Sequence, residues 1–354
     1  MPLSKIVANS ITDDTITTDQ IADTSVHGRR NLIINGAMQV AQRGTSSTSD
    51  SYRTVDRTRT NHGGASVTQT QQTLSSGSPY DEGFRHFYRV ANTAVSSATS
   101  ANMQMFQFIE AQNIASSGWQ YTSSSNYVTF SAWVRSSLAG TYMFRLRSFD
   151  GTSQNYASKF TLAADTWTKI TKTVPGNSNL QFDNNAERGL EVNITVHFGT
   201  DFTSSSFVDD AWAAFDGSSR SDDFDQNWCN TASATFDTTG WQLEVGDKAT
   251  PFEHRSFSQE ELDCYRYYFA YAGTHVSGEE KNWLYNIDDN DSYRRGQHQF
   301  PVPMRGTPAI TVTFVGTPGT ARGAQHINSL QTNTFVNSEA SYAYYSNLVA
   351  DAEL

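Results

Sequence analysis

The sequence predicts an all-β chain: an antiparallel jelly-roll sandwich, a smaller C-terminal β domain, a short N-terminal oligomerising segment and one short helix. Two observations support this prediction. Apolar and polar residues alternate with a period of two over several short stretches separated by turn signals, and only one segment has helical spacing. Of 354 residues, 12% are aromatic and 17% are charged, which is typical of a folded sheet and not of a disordered chain.

The clearest strand covers residues 190–198, where apolar side chains alternate with Glu191, Asn193, Thr195 and His197. The same alternation over 127–134 and 142–147 predicts two more strands, each with one dry face. Together they predict a jelly-roll sandwich over residues 29–257. Further strands are predicted at 31–40, 64–72, 84–92, 103–111, 167–174 and 234–244.

The N-terminal segment has a different period. One apolar residue recurs every five positions within a polar background, which fits neither a helix nor a strand. So short a repeat cannot bury itself in a single chain, so we expect several identical chains to wind together over residues 1–28 and to anchor the protein. The alternative is an extended tail with accidental spacing. The repeating residues are Ile6, Ile11, Ile16, Ile21 and Val26.

One helix is predicted after the sandwich. Ser258 and Glu261 have the spacing of a capping box, with Ser258 as the N-cap, and apolar residues follow at helical intervals until Gly273. We therefore expect a linking helix at 258–273 and a C-terminal β tip over 274–354.

Charge and apolar content restrict the partners. The net charge is −11, which opposes coating of nucleic acid or an anionic membrane. No apolar stretch approaches the roughly 20 residues that span a bilayer, so no membrane insertion is expected. Residues 1–30 lack the apolar core of a signal peptide, which favours synthesis in a cytoplasm. Cys229 and Cys264 are expected to be free thiols.

Several segments resemble a known family. Residues 31–44, NLIINGAMQVAQRG, are similar to the opening of a sandwich found in bacteriophage tail-fibre proteins, many from marine phages. Residues 240–246 with 249–256 resemble the closing strand of that family, and 260–268 its following helix. The segments at 302–305 and 351–354 also fit. The resemblance implies a carbohydrate-binding-module-like jelly roll on a trimeric virion appendage, and it does not identify the ligand.

Motifs for catalysis are missing, and we expect neither an enzyme, nor a metal site, nor a cofactor. Glu110, Glu191 and Glu244 would be the carboxylates of a glycosidase, but nothing in the sequence brings two of them together. The acidic runs at 222–225 and 288–291 contain oxygen ligands that suit Ca²⁺, yet neither matches an EF-hand loop, and such runs are usually solvated.

Aromatic residues offer a better indication, because sugar rings stack on them. On their strands Tyr127 and Trp133 lie opposite the apolar face, as do Arg145 and Arg147, so neighbouring strands would form one platform for a sugar, which the arginines would suit if it is anionic. The alternative places Trp133 in the core. A second candidate set for carbohydrate binding lies near the C-terminus, where packing between chains of a trimer is the alternative. Its members are Trp283, Tyr285, Tyr342 and Tyr344.

The predicted function is that of a virion structural protein, a homotrimeric phage tail-fibre subunit that attaches the particle to host surface polysaccharide. Its N-terminus would contact other tail or collar proteins of the virion. The alternatives are a purely structural capsid or collar fibre and a glycan depolymerase. The expected location is the virion, as an external appendage assembled in the host cytoplasm.

Overall fold

The computed structural model describes residues 30–272, 293–316, 322–337 and 343–354. These residues form mainly antiparallel strands, and most of them belong to two six-stranded sheets packed face to face. The predicted all-β antiparallel sandwich is therefore confirmed. The N-terminal repeat lies outside the described residues, so its role stays a prediction.

The first sheet has the closing strand of the sandwich near its centre. β12 pairs with β4 on one side and with β6 on the other, and a bulge between Thr239 and Gln242 interrupts the second ladder. Gly240 occupies this bulge with φ +67°, a conformation that favours glycine. In order across the sheet, the strands are β1 (Ser46–Ser47), β3 (Ser66–Thr73), β4 (His86–Ala94), β12 (Thr235–Val245), β6 (Tyr127–Ser136) and β9 (Thr168–Pro175).

The second sheet is also entirely antiparallel. β10, the strand with the clearest alternation, lies between β7 and β5. Three strands of this sheet, β2, β8 and β11, were not predicted from the sequence. In order, the strands are β11 (Trp212–Ala214), β8 (Gln154–Leu162), β7 (Gly140–Ser148), β10 (Arg188–Phe198), β5 (Asn102–Glu110) and β2 (Arg59–Gly63).

The core lies between the two sheets and confirms which face of β6, β7 and β10 is dry. Phe130 of β6 stacks on Phe144 of β7 with ring centroids 4.6 Å apart, and Trp241 contacts Phe130 edge to face at 5.7 Å. All three side chains are at most 1% exposed. The contact of Phe130 with Phe144 joins one sheet to the other.

Residues 31–40 do not form the predicted strand. Asn35 has φ +59°, and its side-chain oxygen accepts hydrogen bonds from the backbone N–H groups of Gln39 and Val40. Its side-chain nitrogen donates to the carbonyls of Val40 and Asp56. One asparagine thus satisfies backbone groups that a sheet ladder would otherwise pair, so the segment folds as a loop.

The described helices are short: α1 (Ser78–Asp81), α2 (Ala111–Ala115), α3 (Phe257–Tyr265) and a 3₁₀ turn at Trp228–Asn230. The N-cap of α3 is Ser256, whose hydroxyl accepts from the N–H of Gln259, so the predicted cap at Ser258 is wrong. The helix is also shorter than the predicted linker over 258–273, because residues 268–272 form a strand.

Two three-stranded sheets follow α3. β18 pairs with β13 and β15, and β17 pairs with β14 and β16. Since β13 precedes residue 274, strand structure begins earlier than the expected boundary of the C-terminal region. The strands are β13 (Tyr268–Ala272), β14 (Tyr293–Gln299), β15 (Ala309–Gly316), β16 (Arg322–Gln325), β17 (Gln331–Asn337) and β18 (Ala343–Asp351).

Charged side chains join the sandwich to the segments at α3 and after β18. Glu110, which is fully buried, accepts two hydrogen bonds from the Arg266 guanidinium at 2.7 and 2.8 Å and one from the Tyr267 hydroxyl at 2.6 Å. Arg57 forms an ion pair with Glu353, and its guanidinium carbon lies 3.4 Å from the Tyr267 ring centroid. We refer to these five residues as the Glu110 junction.

The two thiols are free, as predicted, and both are fully buried. Cys229 belongs to the core between the two large sheets, whereas Cys264 packs in a separate cluster with Phe106, Phe108 and Tyr267. Burial raises the pKa of Cys229 to about 12 and raises that of Cys264 well above its usual range. Among the described residues, no helix combines the length and apolar character needed to cross a membrane.

Candidate binding site

The predicted platform of Tyr127, Trp133, Arg145 and Arg147 does not form. The first two residues lie on β6 of the first sheet and the two arginines on β7 of the second. Because both pairs alternate with core residues, they lie on opposite outer faces of the sandwich. Only three residues separate β6 from β7, but the connection crosses between the sheets and does not close a hairpin.

Trp133 is not an open stacking surface. Its side chain is 9% exposed and packs with Phe84 and Phe87 in a small apolar cluster outside the main core. Its indole N–H donates to Glu82 at 3.0 Å. The alternative that Trp133 belongs to the core between the sheets is also wrong, while Tyr127 is half-buried at the start of β6.

The second aromatic set lies largely outside the described residues. This applies to Trp283, Tyr285 and Tyr342, and Tyr344 lies within β18 opposite Val315. The acidic run at 288–291 also lies outside. These assignments stay predictions.

The three carboxylates of the acidic run at 222–225 each contact a different partner. Asp222 pairs with Lys159, Asp223 accepts from the Thr203 hydroxyl, and Asp225 accepts from Thr141 at 2.6 and 2.8 Å. Within the described ranges, no group of three or more His, Cys, Asp or Glu side chains is placed to hold a metal ion.

The outer face of the second sheet brings together charged and amide side chains. Across the ladder, Asn193 of β10 lies between Arg145 of β7 and Phe106 of β5. In the next row of the same face, Glu191 lies between Arg147 and Phe108. Arg145 and Arg147 are therefore brought together as predicted, next to residues of β10 and β5.

A buried hydrogen-bond network forms the floor of this face. The Asn193 amide donates to Gln104 at 2.9 Å and to the Glu191 carboxylate at 2.8 Å. Arg145 donates to the Asn155 side-chain oxygen at 2.9 Å. All five side chains are at most 7% exposed, so this floor is fixed in place.

Four arginines border this floor and Arg145 belongs to it, and each of the five lies near an aromatic ring. The guanidinium of Arg147 is 3.5 Å from the ring centroid of Phe215, which is half-buried. Arg220 lies 4.5 Å from the ring of Phe202, and Arg188 lies 4.5 Å from that of Phe108. The arginine face, as we call it, comprises Arg59, Arg145, Arg147, Arg188 and Arg220.

These arginines lack carboxylate partners. In the described part of the chain, none of the five forms an ion pair, and the Nε atoms of Arg59 and Arg145 are buried without a hydrogen-bond partner. Burial lowers the pKa of Arg145 to about 10; the nearby carboxylate of Glu191 opposes this shift, and the charges of Arg220 and Arg147 add to it. Burial also lowers the pKa of Arg147 and Arg220. Positive charge is thus in excess on this face.

The first sheet shows the opposite arrangement. On its outer face Arg89 and Arg135 both pair with the buried carboxylate of Asp237, at 2.7 and 2.6 Å. The same residue type is therefore neutralised on one face and left unpaired on the other. This contrast identifies the arginine face as the candidate binding site.

A cavity of about 230 Å³ lies beside this face. Phe198 lines the cavity, and its ring centroid is 5.4 Å from the guanidinium carbon of Arg145. His197, Asp223 and Asn227 also line the cavity. Burial lowers the pKa of His197 to about 4, so its imidazole is neutral at pH 7.

The three glutamates weighed as glycosidase carboxylates are all buried in separate hydrogen-bond networks. Glu110 belongs to the Glu110 junction, Glu191 accepts from Asn193, and Glu244 of the first sheet accepts from Thr250 at 2.9 and 2.6 Å. Their structural partners account for the burial of all three.

No protein-family model matches the chain, and no curated protein matches it. Among solved structures, it is similar to one described as "CBM4 structure and function", with a TM-score of 0.31 and 11% identity over 60% of this chain and 98% of the other. The family 11 carbohydrate-binding module from Clostridium thermocellum has a TM-score of 0.27 and 12% identity, over 59% of this chain and 98% of the module. TmCBM61 in complex with β-1,4-galactotriose has a TM-score of 0.28 and 7% identity, over 62% of this chain and 99% of the other.

TM-scores this low carry no argument about what the chain binds. The resemblance to bacteriophage tail-fibre proteins likewise stays a prediction.

Sequence reasoning missed Arg59, Arg188 and Arg220 as members of the site. Simple alternation places Arg188 on the same side as Leu190, in the core. The ladder with β5 shifts register between these two residues, and the guanidinium of Arg188 instead lies over Phe108. Gly189 was the feature of the sequence that could have indicated this shift, because a glycine within a strand often marks a bulge. In the structure, a Cβ at Gly189 would lie 2.5 Å from the Ala111 Cα.

Proposed function

We propose that this protein binds carbohydrate through the arginine face. The observation that carries the proposal is the fixed floor of amide and charged side chains next to the half-buried Phe215 ring. Sugar hydroxyls need donors and acceptors in fixed positions, and sugar C–H faces stack on rings. Arg147 and Arg220 lie above this buried floor and are partly exposed, so they offer hydrogen-bond donors, and Arg147 with Phe215 offers a flat surface.

Binding of the full chain to a glycan array tests this proposal. We expect Arg147→Met to weaken binding by about tenfold or more, because arginines in contact surfaces often contribute over ~1 kcal/mol. Arg85→Met is a matched control, since Arg85 is exposed, stacks at 4.0 Å on Tyr80 of α1 and lies in the loop just before β4 of the first sheet. No binding to any glycan, or equal losses in both variants, would contradict the proposal.

We further propose that the chain works as a homotrimeric subunit of a virion appendage, with residues 1–28 as its attachment to other virion proteins. The five-residue repeat and the resemblance to tail-fibre proteins support this role. On this view glycan binding attaches the particle to host polysaccharide without cleaving it, so no reducing ends should be released.

Light scattering of the full chain should give three times the 39.2 kDa of one chain. Ile16→Asp should reduce assembly while leaving the sandwich folded, because it introduces an unpaired charge among stacked apolar residues. A stable monomer at micromolar concentration would show that the trimer is wrong.

A further inference from the structure

The arginine face carries a charge opposite to that of the whole molecule. The chain has a net charge of −11, yet this face brings together five arginines and, on its floor, the carboxylate of Glu191. Unpaired charge held near low-dielectric protein is costly, as the lowered pKa values of Arg145 and Arg147 indicate. An anion bound at the face would remove this cost.

Resting on the proposed carbohydrate binding, we infer that the arginine face takes an acidic polysaccharide, one that carries carboxylate or sulfate groups along its chain. The bound anions would accept hydrogen bonds from the free N–H groups of Arg147, Arg188 and Arg220.

The chemistry of these arginines fits such groups. A guanidinium is planar and donates two parallel hydrogen bonds to a carboxylate or sulfate, and it stays charged at every pH of interest. Stacking on Phe215, Phe202 and Phe108 holds Arg147, Arg220 and Arg188 in place while their edges stay available. Arg147 and Arg220 donate hydrogen bonds to neutral oxygens, those of Ser153 and Gly217.

Nucleic acid is a poorer match for the same face. Duplex DNA carries one negative charge per ~1.7 Å. Beyond the face, these charges would be repelled by the protein, whose net charge is −11. An acidic polysaccharide spaces its charges more widely, so separate anionic groups can meet separate arginines of the face.

The test uses the full chain and compares two pairs of polysaccharides that differ in charge, with duplex DNA as a polyanion of another class. The probes are alginate and its carboxyl-reduced neutral form, dextran sulfate and neutral dextran, and duplex DNA. We expect at least one acidic polymer to bind about tenfold more tightly than its neutral counterpart, with affinity falling as salt rises. The alginate and sulfate arms then identify which anion the face takes.

The outcomes separate the two proposals. If neutral glycans bind as tightly as their acidic counterparts, the inference is wrong and carbohydrate binding stands. If no glycan binds, here or on the array, both fail. If DNA binds as tightly as the acidic polymers, the face is a general polyanion site and the inference is wrong.

Variants locate the binding. Arg188→Gln changes an exposed side chain and Arg147→Gln a partly buried one, and each should lower affinity for the acidic polymer by about threefold to tenfold. Arg85→Gln, the same charge change in the loop before β4, should leave it unchanged. Circular dichroism confirms that each variant is folded. Wild-type affinity in both Arg147→Gln and Arg188→Gln would overturn the inference.

Discussion

Replacing Glu110 by alanine should cost roughly 3–5 kcal/mol of unfolding free energy, because it leaves the charge of Arg266 without its partner at a partly buried contact. The carboxylate is fully buried and accepts three hydrogen bonds of 2.6–2.8 Å from Arg266 and Tyr267. Since these residues join α3 to the sandwich, limited proteolysis should also cut earlier near α3. Urea denaturation measures the first effect.

Glu187→Gln is the matched control. Glu187 pairs with Arg305 at 3.5 Å near the same contact, but its carboxylate is 74% exposed, so its loss should cost at most ~1 kcal/mol. Similar stabilities for the two variants would show that Glu110 does not hold the contact together.

The stability of the Glu110 junction should also depend on pH. Burial opposes ionisation of Glu110, but hydrogen bonds from Arg266 and Tyr267 outweigh it and hold its pKa below the usual range. A carboxyl whose folded pKa is depressed contributes stability above its unfolded pKa and loses it as the pH falls through the folded value. The difference between wild type and Glu110→Gln should therefore shrink below about pH 4.

Phe130→Ala should have a comparable effect on the sandwich, about 3–5 kcal/mol, because it opens a cavity where the two sheets meet. Phe130 is fully buried between Phe144 and Trp241. Phe130→Leu, which keeps most of the volume, should cost clearly less. Urea denaturation measures both, and glycan affinity per folded molecule should stay constant, since Phe130 faces away from the arginine face.

The face of each strand could be predicted from the sequence, because side chains alternate with a fixed period of two. Arg145 and Arg147 were placed on the outside of their strand for this reason, and β10 was identified with its dry side correct. The alternation describes one strand at a time. It does not say which strands are neighbours.

Neighbours could not be predicted because they depend on the path of short connections. The turn from β6 to β7 contains Leu138 and ends at Gly140, the first residue of β7; it is as short as a hairpin turn, yet it crosses from one sheet to the other. There the Tyr142 hydroxyl donates to the Leu138 carbonyl at 2.8 Å, and Gly140 has φ +145°. These tertiary contacts, and not local pattern, separated Trp133 from Arg145.

Three of the five arginines escaped prediction, and Arg59 did so because its strand, β2, was itself not predicted. The register shift beside Gly189 reverses the side on which Arg188 lies, and Arg220 comes from a loop, where no periodicity applies. Periodicity in a sequence places charged residues on regular strands, but it does not place those that lie at bulges or in loops.

The two buried thiols are natural probes of local unfolding in this protein. A thiol reagent reacts only when its target becomes exposed, so its rate reports the free energy of that opening. Cys229 lies in the core between the sheets and Cys264 in the cluster behind α3. Modification at Cys264 alone would time the detachment of the helix while the sandwich stays closed, and equal rates at both thiols would mean that the molecule opens as one unit.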